Sequence, residues 1–345
     1  MELRTIPIKR RSPITKREGM CQKGVCELFV GGKRISDSFS GEWKVPTKDD
    51  VTAIVVMTSN LFPLLPQFIQ RWKGPICLSV WIHPSERPML VQNVLSIQRN
   101  EDCRIVVYTE GTESTNVPIN LLRNLCIRQV LTSHYIVLDA NVMPSDNLYT
   151  TLRSIPSELL SKDKFAFIIS PVFLDLSDDC TAQSCLDRVM QSVPQSEKEL
   201  MECMAEKRCQ SVHDKSHSSF VDSVWTSSTS VAKIVCFPKH YQEPYLLVRN
   251  SYFLPLYDER FIGHSYSQLG YVEKLRYNIE QFFVITHAFV VVIPPSISLQ
   301  TEKLKGSVTD PDSLEMYTLL TKVLNELNQT VSKSSLYVPT CPING

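Results

Sequence analysis

Residues 133–147 read "SHYIVLDANVMPSDN". Tyr135, Ile136, Val137 and Leu138 are successive β-formers, and the run stops at an acid, Asp139, with an amide, Asn141, two residues later. This is the pattern of a buried strand that ends in polar residues. In layered α/β sheets ligands bind outside the carboxyl ends of the strands, so the end of this strand is the first place to look for a site.

Working outward, the same texture recurs. "VTAIVVM" (51–57), "ICLSVWI" (76–82), "RIVVYTE" (104–110) and "FAFIISPVF" (165–173) read as further strands, and the first also ends in polar residues, Thr58-Ser59-Asn60. Between the first two strands, Leu64, Phe68, Ile69 and Trp72 fall at helical spacing before Gly74. "NVPINLLRNLCIRQV" (116–130) predicts a helix opened by Pro118. Leu121, Leu122, Leu125 and Cys126 would make its apolar stripe, and Asn120, Arg123, Asn124 and Arg128 its polar one. Alternation of strands and helices predicts an α/β domain with a largely parallel sheet. A cleft should bring Asp139 near Thr58-Ser59-Asn60 and Arg123. The second half is less regular. It contains a helix over 194–209, a loop-like stretch around Trp225, a late strand in "HAFVVVIPPSIS" (287–298) and a C-terminal amphipathic helix opened by Asp310 and Pro311. The expected organisation is a stem or irregular segment over 1–48, the main domain over 49–300, and the helix and tail over 301–345.

Lys+Arg and Asp+Glu both number 36, so the formal net charge is zero. That gives no electrostatic reason to expect nucleic acid as a partner. No apolar run is long enough to span a bilayer, and the basic start, "MELRTIPIKRRSPITKREG", lacks the apolar core of a secretory signal. The eleven cysteines fit none of the paired spacings of a zinc site. Their density in the middle of the chain predicts a disulfide joining Cys180 to Cys185, or Cys203 to Cys209.

Three blocks, in order, resemble one family. "PINLLRNLCIRQVLTSHYIVLDANVMPSDNL" carries Pro118, Asn120, Arg123, Asn124, Asp139 and Pro144. "EPYLLVRNSYFLPLYDERFIGHSY" carries Glu243-Pro244-Tyr245 and Tyr257-Asp258-Glu259-Arg260-Phe261 with Gly263. "HAFVVVIPPSIS" is similar to the family's closing strand. The chain thereby resembles a divergent member of glycosyltransferase family 49, which includes beta-1,4-glucuronyltransferase and the C-terminal half of the LARGE xylosyl- and glucuronyltransferases. The resemblance implies a GT-A fold, in which a Rossmann-like central sheet is joined to an acceptor-side subdomain. It also implies a UDP-sugar donor, UDP-glucuronic acid first, and a glycan acceptor, with inversion at the anomeric carbon, manganese as cofactor and a Golgi setting.

On that expectation Thr58, Ser59, Arg123, Asn124 and Asp139 hold the nucleotide-sugar. Asp139 and Asn141 hold the metal, Asp258 or Glu259 is the base, and Trp225 meets the acceptor. A cation across the diphosphate would stabilise the charge that builds as UDP departs, and a base would take the acceptor proton. The chain departs from the family at this site. The second acid of the family's Asp-x-Asp is Asn141, and the late-strand histidine is Val292. A following histidine is Pro295, and the family's Gly-x-Gly-Trp-Asn-Lys reads Gly263-His264-Ser265-Tyr266-Ser267-Gln268. His264 and His287 are candidate replacement ligands. The altered metal motif leaves three functions open: glucuronyl transfer, N-acetylglucosaminyl transfer, and an inactive member that binds a glycan or a protein partner.

Overall fold

The computed structural model describes residues 21–22, 25–30, 46–86, 88, 104–110, 117–175, 183–211, 225, 230–237, 242–262, 266–293, 311–331 and 337–341. Its strands are β1 (Cys21–Gln22), β2 (Val25–Val30), β3 (Lys48–Thr58), β4 (Ile76–Ile82), β5 (Arg104–Glu110), β6 (Thr132–Asp139), β7 (Val142–Pro144), β8 (Phe165–Leu174), β9 (Cys209–Gln210), β10 (Val231–Ile234), β11 (Tyr245–Arg249) and β12 (Gln281–Val292). Its helices are α1 (Leu65–Arg71), α2 (Ile119–Gln129), α3 (Leu148–Arg153), α4 (Ser157–Leu160), α5 (Gln183–Ser192), α6 (Glu197–Ala205), α7 (Ser267–Arg276) and α8 (Pro311–Val331).

One mixed sheet organises the chain in the order β1-β2-β5-β4-β3-β6-β11-β8-β12-β10. From β2 through β6 neighbouring strands are parallel. β11 then enters antiparallel between β6 and β8, while β12 returns parallel to β8. Cys21–Val30, expected as stem or irregular edge, contributes β1 and β2 to the sheet beyond β5. β11 is a strand that the periodicity did not single out. "YLLVR" is five residues long and stands among aromatics and charges, too short to show a period.

The strands read as continuous apolar runs because helices cover both faces of the sheet. Ala53, Val55 and Met57 of β3, with Ile136 and Leu138 of β6, pack toward α1, α3, α5 and α6. Ile54 and Val56, with Tyr135 and Val137, pack toward α2 and α7. α8 lies outside this second layer, where Met316, Leu320 and Val323 bury against Phe261 and Leu269.

Three disulfides join described residues. Cys203–Cys209, one of the two expected pairs, staples α6 to β9. Cys77–Cys126 ties β4 to α2, and Cys236–Cys341 ties the C-terminal strip to the segment after β10. These last two pairs stand 49 and 105 residues apart in sequence, beyond the reach of reasoning from neighbouring cysteines. Cys180 lies outside the described residues.

Candidate functional site

Asp139 is the last residue of β6, level with Val56 of β3. It alternates with Tyr135 and Val137, and its side chain turns to the face covered by α2. There Arg123 Nη2 donates to Asp139 Oδ1 at 2.7 Å, and the Tyr245 hydroxyl donates to Oδ2 at 3.2 Å. The Arg123 side chain is 2% exposed and that of Asp139 23%. Arg123 Nη1 also donates to Asn120 Oδ1 at 3.1 Å and Ser267 Oγ at 3.0 Å, and its guanidinium lies 4.9 Å from the centroid of the Tyr257 ring. Burial is the largest single influence and opposes the charge on Arg123, but the Asp139 carboxylate and the Tyr257 and Tyr245 rings together raise the guanidinium pKa. Burial, reinforced by the Asp139 charge, holds the Tyr245 phenol well above its ordinary range. Tyr245 therefore stays a neutral donor.

The polar stripe of α2 is an inner surface. Asn120, Arg123 and Asn124 are all buried. Asn120 Nδ2 donates to the Asp258 carbonyl at 2.8 Å. Asn124 grips Tyr257 from both sides, donating to its carbonyl at 3.0 Å and accepting from its N–H at 3.0 Å. The Tyr257 hydroxyl donates to Gln268 Oε1 at 3.1 Å, and Gln268 Nε2 donates to the Pro244 carbonyl at 3.1 Å. Stretches around residues 120, 139, 245, 257 and 267 thus form one hydrogen-bonded body around Asp139. A buried polar network of this kind is stable only when nearly every member is satisfied. Among the described residues of this network, Arg123 Nε is buried without a hydrogen bond.

Asn141 belongs to a different piece of construction. Its Nδ2 donates to the Ile293 carbonyl at 2.7 Å, and Ile293 N–H donates back to the Asn141 carbonyl at 2.9 Å. The next residue, Val142, pairs with Val292 across the antiparallel β7–β12 ladder. The amide in place of the second acid therefore clasps the end of β12, and Val292 packs against the core beside it.

Thr58 and Ser59 stand just past the level of Asp139 on the neighbouring strand, at the same edge of the sheet. The Thr58 hydroxyl meets Asn60, and Ser59 Oγ donates to Glu86 Oε1 at 2.7 Å. Trp81, level with Thr58 on β4, has a buried indole N–H with no hydrogen-bond partner. Sequence reasoning gave it no role.

The two acids proposed as bases differ sharply. Asp258 takes a 2.7 Å bond from Arg260 Nη2 and a 2.9 Å bond from Lys274 Nζ. Burial would raise its pKa, but the hydrogen bonds from Arg260 and the Lys274 charge drive it far below the usual carboxylate range. Glu259 is 41% exposed and accepts from Asn124 Nδ2 at 2.8 Å. Trp225 is 1% exposed, packed with Phe289 and His287, so its indole is part of the core. His287 sits at a left-handed position (φ 61°), with its Nδ1 3.0 Å from Glu197. His264 lies outside the described residues. Among the described residues, no three His, Cys, Asp or Glu side chains gather as a metal-binding group.

The family described as "Glycosyl-transferase for dystroglycan" matches residues 97–292. A xylosyl- and glucuronyltransferase, LARGE2s of Gallus gallus, is 26% identical over 272 residues, covering 76% of this chain and 34% of its own length. LARGE1 of Homo sapiens is 25% identical over 287 residues, covering 80% of this chain and 34% of its own. The chain thus spans about a third of the length of these curated relatives. Among solved structures, S. aureus TarS 1-349 in complex with UDP-GlcNAc is 12% identical with a TM-score of 0.49, covering 80% of this chain and 66% of that one. GalNAc-T7 with UDP, GalNAc and Mn2+ is 11% identical with a TM-score of 0.44, covering 84% and 59%. The α/β fold with a largely parallel central sheet expected from the sequence is the one present. On its family match and its similarity to the LARGE enzymes, the chain belongs, as a divergent member, to the family of glycosyl-transferases for dystroglycan.

Proposed function

We propose that this chain is a glycosyltransferase module that takes a UDP-sugar at the edge formed by the ends of β3, β4 and β6. One observation carries the reading: stretches far apart in sequence converge on Asp139 at the carboxyl end of a parallel strand, where such sheets hold ligands. Thr58 and Ser59 at the lip would touch the nucleotide. Arg123 and Asn124, committed to internal partners, would shape the pocket around Asp139. UDP-glucuronic acid is the first donor to test, because the similar LARGE enzymes are named as xylosyl- and glucuronyltransferases. UDP-N-acetylglucosamine is the second.

With an inverting displacement, the acceptor oxygen forms its bond to the anomeric carbon as the bond to UDP breaks. The acceptor proton passes to a carboxylate. Glu259 is the more open of the two acids, whereas Asp258 is held ionised by two cations and is a poor proton acceptor. Stacking of an acceptor on Trp225 would require the indole to leave the core. Three disulfides fit an oxidising lumen such as the Golgi, and no helix among the described residues is long and apolar enough to cross a membrane.

Manganese, implied by the family resemblance, does not fit the residues present. Both oxygens of Asp139 are engaged by Arg123 and Tyr245, Asn141 turns its amide to Ile293, and Val292 has no donor atom. The same facts favour a second reading, an inactive member that binds a glycan or a partner. Calorimetric titration with UDP, UDP-glucuronic acid and UDP-N-acetylglucosamine, followed by a UDP-release assay, separates the two. Binding with slow sugar hydrolysis supports the transferase, and absence of any nucleotide binding overturns it.

A further inference from the structure

A divalent ion shared between protein and a diphosphate needs hard oxygen donors aimed at one point, at least one of them carrying charge that is not already balanced. The end of β6 offers one carboxylate, Asp139, whose charge is balanced from within, and Glu86 beyond β4 accepts from Ser59 Oγ and the His83 N–H. Arg123 is 2% exposed, lies 2.7 Å from Asp139, and has no other carboxylate within ion-pair distance among the described residues. Drawing Asp139 toward a metal would leave that guanidinium buried and uncompensated. The neighbouring positions supply no second charge. The Asn141 carboxamide is oriented by its bond to the Ile293 carbonyl, and that carbonyl residue is bonded back to the Asn141 main chain. Val292 is held level with Val142 by the β7–β12 ladder, so a side chain there is an apolar contact of the sheet end.

We propose that this edge takes a nucleoside diphosphate without a divalent cation, and that Asp139 is a positioning residue for Arg123 and Tyr245, not a metal ligand. The geometry assigns Asp139 to the inside of the protein. It holds the α2 guanidinium that lies against the Tyr257 ring, and it fixes the Tyr245 hydroxyl at the start of β11. The nucleotide part of this proposal rests on the donor-site reading above, whereas the metal part does not.

The test has two arms on the full chain. In the first, Mn2+ is titrated alone and followed by electron paramagnetic resonance, where the sharp signal of the hydrated ion is lost on binding. In the second, UDP affinity is measured by calorimetry with EDTA and with saturating Mn2+. The expected result is no saturable loss of the Mn2+ signal, and UDP affinities that agree within about twofold. Uptake of one Mn2+ per chain that weakens in the Asn141→Ala variant would overturn the proposal. So would UDP affinity raised about tenfold or more by Mn2+. Should UDP bind in neither condition, the donor-site reading fails, and the resonance arm still decides whether the edge holds a metal. Asn141→Ala leaves Asp139 and Arg123 in place, so it remains informative if Asp139 variants do not fold.

Discussion

Replacing Asp139 by Asn separates a residue kept for a ligand from one kept for the fold. The substitution preserves shape and removes one charge. Asn Oδ1 still accepts from Arg123 Nη2, but the guanidinium, 2% exposed, loses its counter-charge. Breaking a buried pair by neutralising one partner typically costs about 3–5 kcal/mol. The neutral hydrogen bond that survives, and the Tyr257 face beneath the guanidinium, place this case near the lower end, about 3 kcal/mol. Against a denaturant slope of about 3 kcal/mol/M, that moves the urea midpoint down by about 1 M. The control is Arg123→Met with Asp139→Leu. Each single change strands a buried charge, whereas the double change strands no charge and leaves only the neutral partners Tyr245, Asn120 and Ser267 to be re-satisfied, so the double variant should lose less than the sum of the two. A midpoint for Asp139→Asn unchanged or raised would refute the reasoning, because an acid stored for a missing cation is relieved, not damaged, by losing its charge.

Three further outcomes follow from the same geometry. Asn141→Asp should destabilise by about 1–3 kcal/mol in the same unfolding assay, because it sets a carboxylate oxygen against the Ile293 carbonyl where an amide N–H now donates; unchanged stability would mean the clasp carries no weight. His134, buried at the start of β6, has its pKa pushed down to about 4, chiefly by burial and then by Arg249. Below pH 6.5 the unfolded chain takes a proton that the native one refuses, so stability should fall by up to about 3 kcal/mol as pH drops toward 4 and level off below it; His134→Gln should remove that part of the slope in unfolding curves taken across the window. Removing Cys77–Cys126 by a double alanine substitution opens a cross-link spanning 49 residues and should cost up to about 4 kcal/mol, read as a lower melting temperature and faster exchange of α2 amides.

Much of the sheet was legible because β3, β4, β6 and β8 are buried on both faces and therefore carry unbroken β-branched runs. β11 was not, since five residues between aromatics show no period. The pairing of Arg123 with the end of β6 was anticipated as proximity, from the strand-end rule for parallel sheets. What the sequence hid was the direction of the α2 polar stripe. Asn120, Arg123, Asn124 and Arg128 look the same in a string of letters whether water or protein faces them, and only Arg128 is left partly open. Asn141 was read as a degraded acid because the string shows what is missing from a motif. It does not show Ile293, 152 residues away, as the partner that uses the amide.

The grip of α2 on the loop that follows β11 has a consequence for how the chain can change over time. Asn120 and Asn124 hold the main chain of Tyr257 and Asp258 and take little notice of what the loop's side chains are, apart from the one bond to Glu259. A backbone held this way keeps its path while the letters along it vary. Substitutions at the exposed Glu259 can alter what the loop presents at small cost to its course, whereas a single change at Asn120 or Asn124 shifts the whole segment at once. Descendants of this chain should therefore diverge at the exposed position of the loop and stay alike in the helix.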